Sequence, residues 1–593
     1  MSASYGFYRV SNWGCPHVET GVTPVDGHMF LLQAGPNDAY TRDNANGDTY
    51  RGFLIIGRYL FEILRESKTW RSPVHGAFKA EMLRTGDDSG AAENAYYLRF
   101  DIFFCLEVQE PQTKGTDDMS TTWNRRSFMR GMAGAGALAA WRAAGQTAAP
   151  SANKPLRVAL IGCGVQGTHV LLPAACKERV AALVDPDPAQ IQKAFKRIHE
   201  VSPETDTSAV RTFSDYRQLF DVMGKELDAV MIATPNHQHA LPALLAMRRG
   251  LHVYVEKPLT HTLAEARQLT EEARKAGVAT QMGNQGQSSE GSRLLCEYLA
   301  AGAIGPVREV YCWSNRANGF PAEYVRPPAR PVPQGLAWDT WIGPAPYRDY
   351  HADLHIHTWH SWLDFGNGSL GNMGCHIMNH PYWALKLGSP EAVEAEEVYG
   401  GNAECWPIGT RIRWEFPARG ELPPVKVYWY DGLIKGTPFN QKTVEPRWKH
   451  TADNVRNLPA LFHEVTQKYG GVLPDEGSLL VGDKGMVTID KHGEGFRMIP
   501  EEAHRAFPRP AKTLPRVKGT HQADFFRACR GGAPACSNFD HAGPLAEIVL
   551  LGNLAILAGQ GRRIEWDGPA LRCTNLPELN RHVKTEYRAG WTC

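Results

Sequence analysis

The chain has 593 residues, of which 43% are hydrophobic and 21% charged, and its formal net charge is +1. It is too apolar for a disordered chain and too long for one domain, so we expect three or four folding units. The balanced charge excludes the concentrated basic surface of a nucleic-acid-binding protein, and no apolar run approaches the roughly 20 residues that cross a bilayer.

Residues 1–118 differ in composition from the rest of the chain. They mix Gly, Asn, Asp and aromatic residues, show no clear periodicity, and contain one convincing apolar stretch, at 53–64. We interpret them as an extension upstream of the biological start, which we place at Met119. The alternative, a real N-terminal domain of unknown role, stays open at this point.

Residues 119–150 have the three parts of an export signal. The pair Arg125 and Arg126 is followed by Phe128, then by a mildly apolar run rich in Ala and Gly, and then by further small residues. This order is similar to a twin-arginine signal. If Met119 is the start, we expect an exported or periplasmic protein, and otherwise a cytoplasmic one. The alternative is a linker with a chance arginine pair.

A strand, turn, helix and strand follow one another from Lys154 onward. Residues 156–161 form a short apolar run, the turn 162–167 reads GCGVQG, and a second apolar run at 180–184 ends in Asp185. A glycine motif of this kind is weak evidence by itself. Set between two strands and followed by an acidic residue, it predicts a dinucleotide-binding unit.

The residue types in this unit match the chemistry of a dinucleotide. Gly162 permits the tight turn, Gly164 allows the backbone to approach a pyrophosphate, and Gly167 allows the helix to pack on the strand. The N–H groups at the helix N-terminus then face the phosphates. A carboxylate at Asp185 would accept hydrogen bonds from both ribose hydroxyls and would repel a 2′-phosphate, so we predict NAD rather than NADP.

The alternation of strands and helices continues beyond this unit. Buried strands are predicted at 228–233, 251–255 and 278–282, and Thr262 begins a helix with the pattern of a capping box. Residues 154–283 therefore predict a Rossmann domain, a doubly wound parallel sheet that binds its ligand at the carboxyl ends of the strands.

Four segments together give the chain a resemblance to a known family. They are the glycine turn 162–167, the stretch 233–239 (ATPNHQH), the strand end 256–259 (EKPL) and the glycine-rich stretch 368–376 (GSLGNMGCH). The chain resembles the Gfo/Idh/MocA family of nicotinamide-dependent sugar and cyclitol oxidoreductases. Within that family it looks like the branch exported by the twin-arginine route.

The resemblance implies a second, α+β domain at 284–593, built on a large, open, mostly antiparallel sheet. Apolar and polar residues alternate at 307–313, 410–416 and 425–430, as expected for half-buried strands. Because such a sheet leaves one face uncovered, we expect a homo-oligomer, either a dimer or a tetramer, that associates through this sheet.

The resemblance also implies the catalytic residues. Lys257, at the end of a strand, corresponds to the family lysine that hydrogen-bonds the substrate hydroxyl and assists proton transfer. His376 corresponds to the catalytic histidine. The position four residues before it is usually Asp in the family, but here it is Asn372. An amide cannot carry negative charge, so we expect a lower pKa for His376 than Asp would give.

Further site residues follow from the same resemblance. The segment 351–380 is dense in histidine, and we interpret it as a sugar cleft with Trp359 and Trp362 as stacking platforms, although a metal site is the alternative. We predict that substrate contacts Lys257, Trp359, Trp362 and His376, and that no metal is bound. The predicted cofactor-binding residues are Gly162, Gly164, Val165, Gln166, Gly167, Asp185, Thr234, Pro235, Asn236, His239, Glu256 and Lys257.

These features predict an NAD-dependent oxidoreductase that acts on a hydroxyl of a sugar, sugar derivative or cyclitol by hydride transfer. The near-zero net charge fits a neutral sugar. Since the periplasm maintains no pool of NAD, an exported enzyme would keep its cofactor bound and regenerate it in each cycle. Two alternatives stay open: a redox-neutral glycoside hydrolase that oxidises, eliminates, hydrates and reduces, and a non-catalytic NAD-binding protein, for which Asn372 is the best argument.

Overall fold

The computed structural model describes two compact units of the chain, residues 1–136 and 137–593. The export-like segment 119–150 and His357 lie outside the described residues. The described ranges are 22–25, 29–32, 78–84, 96–102, 154–351, 354–355, 358–435 and 454–592.

The first unit contains a four-stranded antiparallel sheet with the strand order β1-β2-β4-β3. Apolar and polar residues alternate along the two longer strands, so the lack of clear periodicity in residues 1–118 as a whole does not extend to them. The apolar stretch 53–64 lies outside the described residues. The strands are β1 (Val22–Val25), β2 (Met29–Leu32), β3 (Phe78–Arg84) and β4 (Tyr96–Ile102).

The second unit begins with a six-stranded sheet in which every pair of neighbours is parallel, in the order β10-β9-β8-β5-β6-β7. The predicted doubly wound sheet is confirmed. The edge strand β7 was not predicted, because it has three residues and is largely exposed. The strands are β5 (Arg157–Ile161), β6 (Arg179–Val184), β7 (Arg211–Phe213), β8 (Ala229–Ile232), β9 (His252–Val255) and β10 (Thr280–Met282).

Helices connect these strands, and the predicted capping box is present on one of them. The side chain of Thr262 accepts a hydrogen bond from the backbone of Glu265, whose carboxylate accepts one from the backbone of Thr262, and the helix ends at Gly277 with φ of 64°. After a π-helical turn at Gly167–Leu171, the helices are α1 (Leu172–Ala175), α2 (Pro188–Val201), α3 (Tyr216–Met223), α4 (Ala240–Met247) and α5 (Leu263–Ala276).

The second sheet has ten strands and is antiparallel except where β11 pairs with β14. The path runs β18-β17-β16-β11-β14-β13-β12-β19-β20, and β15 pairs with β14 beside it. This confirms the predicted large, mostly antiparallel sheet. The strands are β11 (Val307–Ser314), β12 (Ala392–Tyr399), β13 (Gly409–Phe416), β14 (Val425–Lys435), β15 (Val455–Arg456), β16 (Gly477–Gly482), β17 (Gly485–Asp490), β18 (Arg497–Ile499), β19 (Ile564–Asp567) and β20 (Arg572–Cys573).

Among the described residues, eight further helices follow α5 along the chain, and short 3₁₀ turns lie at Thr207–Ala209, Asn236–Gln238, Gln285–Ser288, Trp359–Ser361 and Pro577–His582. The helices are α6 (Glu290–Ala300), α7 (Trp338–Ile342), α8 (Gly368–Ile377), α9 (Asn379–Ala384), α10 (Ala460–Tyr469), α11 (Glu501–Ala506), α12 (His521–Cys529) and α13 (Phe539–Ala558).

The long helix α13 lies between the two sheets. Its Gly543 approaches α5 so closely that a Cβ would lie 1.9 Å from Oγ1 of Thr270, and the indole N–H of Trp414 on β13 donates to the carbonyl of Ile548. Among the described residues it is the one helix long and apolar enough to cross a membrane, yet 72% of the apolar window is buried inside the protein. We therefore interpret α13 as a core helix.

The position of an element along the chain does not always show which sheet it packs against. Helix α12 falls in the range predicted for the second domain, but its Phe525 and Phe526 pack in the core of the first sheet with Val158 and Tyr254. The late helix thus closes the parallel sheet, and the two predicted domains share their cores.

Candidate active site

The glycine turn after β5 is shaped by close backbone contacts on one side and open space on the other. Gly162 has φ of +95°, and a Cβ there would lie 2.6 Å from the backbone of Ala233 at the end of β8. A Cβ on Gly167 would lie 2.0 Å from the carbonyl oxygen of Gly162, whereas a Cβ on Gly164 would meet no atom within 4 Å. The turn therefore lies tightly against the sheet and leaves room above Gly164.

Asp185 connects this turn to the end of β6. One of its carboxylate oxygens accepts a hydrogen bond from the backbone N–H of Cys163 at 2.8 Å, and the other accepts from the N–H of Asp187 at 2.9 Å. Burial raises the pKa of Asp185 to about 7, although both hydrogen bonds act in the opposite direction. Each carboxylate oxygen can still accept a further hydrogen bond, so the predicted contact with ribose hydroxyls fits this position.

The loop after β8 carries four of the predicted cofactor-binding residues, and they differ in their surroundings. The amide oxygen of Asn236 is buried without a hydrogen-bond partner, whereas the hydroxyl of Thr234 donates to the carbonyl of Gln238. The ring nitrogens of His239 lie 2.7 and 2.9 Å from the carbonyl oxygens of Pro258 and Thr234. His239 is buried, and a neutral imidazole can donate to only one of these two carbonyl oxygens. Its predicted contact with the cofactor stays a prediction.

Glu256 and Lys257 follow β9 at the same edge of the sheet. One carboxylate oxygen of Glu256 is buried without a hydrogen-bond partner. Burial raises the pKa of Glu256 to about 7, while the charge of Lys257 and a hydrogen bond from Gln166 oppose the rise. A Cβ on Gly283 would lie 2.5 Å from this carboxylate, so the glycine makes room for it.

The residues present fit a bound dinucleotide. The carboxyl edge of the parallel sheet combines an open glycine for a pyrophosphate, a buried carboxylate at Asp185 and two buried oxygens, on Asn236 and Glu256, that have no partner in the protein. Buried polar atoms are normally hydrogen-bonded, so unpartnered ones at one sheet edge point to a polar ligand. Dinucleotides bind at this edge in doubly wound folds.

The structure brings together two predicted catalytic residues that are 115 positions apart. The ammonium group of Lys257 donates a hydrogen bond to the side-chain oxygen of Asn372 at 2.6 Å, and the amide nitrogen of Asn372 donates to the side-chain oxygen of Asn318 at 3.0 Å. Burial lowers the pKa of Lys257, and the charge of Glu256 opposes this effect. A lysine with a lowered pKa can serve as a base more easily than an exposed one.

His376 lies one helical turn after Asn372 on α8. It is buried, and its Nδ1 has no hydrogen-bond partner. Its pKa is lowered well below the usual value, chiefly by burial and then by the charges of Lys257 and His492. Burial is the largest cause of this shift, and the imidazole is therefore neutral in the free protein. The difference expected between Asn and Asp at position 372 stays a prediction.

Four site residues were missed by sequence analysis. His492, in the loop between β17 and β18, has its ring centroid 5.4 Å from that of His376. Glu476, just before β16, accepts a hydrogen bond from the hydroxyl of Ser314 at 2.7 Å and is paired with Lys491. The Nε of Arg316 lies 3.6 Å from the same carboxylate. None of these residues belongs to a recognisable motif, and only the folding of the second sheet brings them to α8.

The two predicted stacking tryptophans have different environments. Trp359 is partly exposed and stacks on His360 with ring centroids 3.6 Å apart. Trp362 is 1% exposed and packs edge-on against Phe320 and Tyr324. The proposed role of Trp362 as a stacking platform is therefore wrong, because both faces are enclosed in an aromatic cluster. Trp359 stays a candidate for stacking on a sugar ring.

The histidine side chains of the segment 351–380 do not lie around a common point. His355 lies 3.5 Å from Asp187, and His380 lies 2.9 Å from the hydroxyl of Ser292. Within the described part of the chain, no group of three or more His, Cys, Asp or Glu side chains is placed to hold a metal ion. The described histidines contribute to loop contacts and to the surroundings of His376.

The fold and the site define a class of protein, an NAD-binding Rossmann domain joined to an α/β domain with a large open sheet. Residues 156–284 match the family profile described as "Oxidoreductase family, NAD-binding Rossmann fold", and residues 319–397 match the one described as "Oxidoreductase family, C-terminal alpha/beta domain". Both profiles are those of the Gfo/Idh/MocA family, and the chain is similar to that family over these two segments. The predicted resemblance and the predicted NAD-binding Rossmann domain are thereby confirmed.

The match to curated relatives covers only part of each protein. Levoglucosan dehydrogenase from Pseudarthrobacter phenanthrenivorans is 32% identical over 159 residues, which cover 26% of this chain and 39% of that protein. Inositol 2-dehydrogenase 4 from Saccharopolyspora erythraea is 31% identical over 173 residues, which cover 28% of this chain and 48% of that protein. The chain thus spans less than half the length of these curated relatives.

One solved structure similar to this chain is that of aldose-aldose oxidoreductase from Caulobacter crescentus complexed with glycerol. It is 19% identical, with a TM-score of 0.43, and the match covers 70% of this chain and 100% of that chain.

The open space at Gly164 allows a test of NAD binding that does not disturb the fold. Gly164→Val should weaken NAD binding about tenfold or more, because its side chain would occupy the space above the turn. The melting temperature without NAD should stay unchanged, since no protein atom is displaced. Calorimetric titration with NAD and thermal denaturation check both points. As a contrast, Gly162→Ala should lower the melting temperature. A Gly164→Val variant with unchanged NAD affinity would contradict the proposal that NAD occupies the space above the turn.

Proposed function

We propose that the protein is an NAD-dependent oxidoreductase that acts on a hydroxyl group of a sugar, sugar derivative or cyclitol. The observation that carries this proposal is the hydrogen bond from Lys257 to Asn372 at the carboxyl edge of an NAD-binding sheet, beside the buried His376. The names of the two similar dehydrogenases, which act on levoglucosan and on inositol, support a polyol-like substrate.

In this proposal, Lys257 accepts the proton of the reacting hydroxyl. Its pKa is lowered by burial, so it loses its own proton more readily than an exposed lysine. When bound, NAD supplies the hydride acceptor. His376 is neutral and can hydrogen-bond the hydroxyl, which orients it toward Lys257.

Asn372 positions Lys257 without adding charge. Its amide oxygen accepts from the ammonium group, and its amide nitrogen is held in turn by Asn318. An amide in this place favours the ammonium form less than a carboxylate would, which helps to keep the base available. The substitution of the family Asp is therefore compatible with catalysis, and we expect it to change the pH dependence.

We further infer that NAD stays bound through the reaction cycle. The motif of two arginines in 119–150 supports export, and an exported protein would find no pool of NAD to exchange with. The hydride taken from one sugar would then be returned in the same site, either to a second sugar or to the oxidised first substrate. In the second route the oxidised substrate would eliminate its aglycone and add water before the hydride returns, so the net reaction would be a glycoside cleavage.

The full-length protein, purified without added cofactor, gives the first test. We expect denaturation to release NAD or NADH, and sugars added to the native protein to change the near-ultraviolet absorbance of the bound cofactor. Release of nitrophenol from a nitrophenyl glycoside without net NADH would instead favour the redox-neutral hydrolase. A protein that neither contains NAD nor binds it on addition would contradict the proposal.

We also infer self-association through the second sheet. On the face opposite α13, Tyr311 and Tyr428 stack with ring centroids 5.1 Å apart, and Arg413 pairs with Glu394 on the neighbouring strand. These large, partly exposed side chains form a flat surface suited to a second copy of the chain. A solution mass equal to one chain in light scattering would contradict the inference.

A further inference from the structure

We propose that the sugar substrate carries a carboxylate, as a uronic acid does, and that Arg316 and Lys491 bind it beside Lys257 and His376. This inference rests on the proposed function and names the substrate class of the same site. It replaces the neutral sugar expected from the net charge of the chain, because the charge around the site differs from the average over the whole protein.

The first observation is a buried carboxylate shared by two cations. Glu476 is 3% exposed and is paired with Lys491, while Arg316 lies 3.6 Å from one of its oxygens. Burial raises the pKa of Glu476, but hydrogen bonds from Lys491 and Ser314 outweigh it, so the pKa lies below the usual value. Glu476 is therefore ionised, and among the described residues two cations, Arg316 and Lys491, lie within 4 Å of it.

The second observation concerns Arg316, whose hydrogen bonds are incomplete. Its Nε is buried and has no hydrogen-bond partner, and a separation of 3.6 Å from Glu476 is too long for one. The side chain as a whole is 38% exposed. Since the guanidinium group binds a carboxylate best through two parallel N–H donors, Arg316 still has most of this capacity to offer a ligand.

The third observation is the location of the two cations. The charge of Arg316 acts on Lys257, whose pKa is lowered by burial and further by this charge, and the charge of Lys491 acts on His376 in the same direction. Arg316 also precedes Asn318, which ends the hydrogen-bonded chain from Lys257. Lys491 precedes His492, whose ring centroid lies 5.4 Å from that of His376, so each cation is close in sequence to a residue that borders the reactive pair.

Further carboxylates lie near the centre. Asp490 and Glu494 act on His492, and Glu256 acts on Lys257. Among the described residues, the carboxylate within 4 Å of Arg316 is that of Glu476. Asn372 adds no charge that would repel an anionic substrate. A carboxylate offers two oxygens in one plane, which match the parallel N–H donors of Arg316.

The test compares matched methyl glycosides that differ only at C6, namely the uronate, the parent sugar and the 6-phosphate, in the glucose, galactose and mannose series. Binding to the NAD-loaded full-length protein is measured by calorimetry, and turnover by the absorbance of bound NADH. In at least one series the uronate should bind about 10- to 100-fold more tightly than the parent sugar. This preference should shrink as the salt concentration rises.

Two variants separate recognition of the carboxylate from general damage. Arg316→Gln should remove the preference for the uronate and leave binding of the parent sugar within about twofold, as expected for a lost charge contact. The matched control is Arg456→Gln. Arg456 is similarly exposed, at 36%, and pairs with Asp475, the residue before Glu476. This control should keep the preference.

Several results would overturn the inference. They are equal or tighter binding of the parent sugar or the 6-phosphate in every series, an Arg316→Gln variant that keeps the preference, and an Arg456→Gln variant that loses it. Failure of the proposed function would look different, because the protein would then hold no NAD and would not bind it. A protein that binds NAD and oxidises only neutral sugars would refute the carboxylate alone.

Discussion

Lys257→Ala should abolish turnover while NAD remains bound. The reacting hydroxyl would lose its proton acceptor, and removing a general base of this kind lowers the rate by about 10²- to 10⁴-fold. The cofactor should stay because the glycine turn, Asp185 and the loop after β8 are untouched. Single-turnover absorbance of NADH measures the rate, and analysis of the dinucleotide released on denaturation measures occupancy.

The control for this prediction is Lys275→Ala, which removes an exposed lysine on α5. We expect it to have the rate and the NAD content of the unmodified protein. If Lys257→Ala kept more than about a tenth of the activity, Lys257 would not be the base. If it lost NAD together with activity, the loss of turnover would reflect cofactor binding instead of proton transfer.

Asn372→Asp should move the acidic limb of the pH–rate profile to higher pH by about 1 to 3 units. The active form of Lys257 is the neutral amine, which exists above its pKa. The ammonium group lies 2.6 Å from the side-chain oxygen of Asn372, so a carboxylate there would stabilise the ammonium and raise the pKa of Lys257. Activity that is present near neutral pH in the unmodified protein should then appear only at higher pH.

Asn372→Ala provides the matched comparison for this shift. It removes the hydrogen-bond acceptor without adding a charge, so the ammonium form loses stabilisation and the limb should move to lower pH. The rate at its optimum should also fall, because Lys257 is held less firmly. An acidic limb that stays in place in Asn372→Asp would show that a group other than Lys257 controls this part of the profile.

Much of the first sheet could be predicted because its signals are local. The strand before the glycine turn, the acidic residue after β6, and the start and end of α5 each depend on a few neighbouring residues. The short strand β7 and the strands of the first unit were missed. A strand of three largely exposed residues carries too little hydrophobic signal, and the alternation in β3 and β4 was obscured by the turn-forming residues around them.

The site was predicted unevenly for the same reason. Lys257 and His376 lie in motifs, and both are found at the expected edge of the sheet. Trp362 was assigned to the substrate because a tryptophan near a cleft suggests stacking, but whether its faces are enclosed depends on Phe320 and Tyr324, which lie about 40 positions earlier.

The sequence by itself determined the class of fold and the position of the dinucleotide turn, because backbone geometry and hydrophobic period are encoded within short windows. Its resemblance to a known family supplied the prediction that Lys257 is catalytic. Only the tertiary structure decided the electrostatics of the site. Arg316, Glu476 and Lys491 come from separate parts of the second sheet. Arg316 acts on Lys257, and Lys491 acts on His376, only after that sheet has folded. The strength and sign of these effects depend on distance and burial, which no local pattern in the sequence specifies.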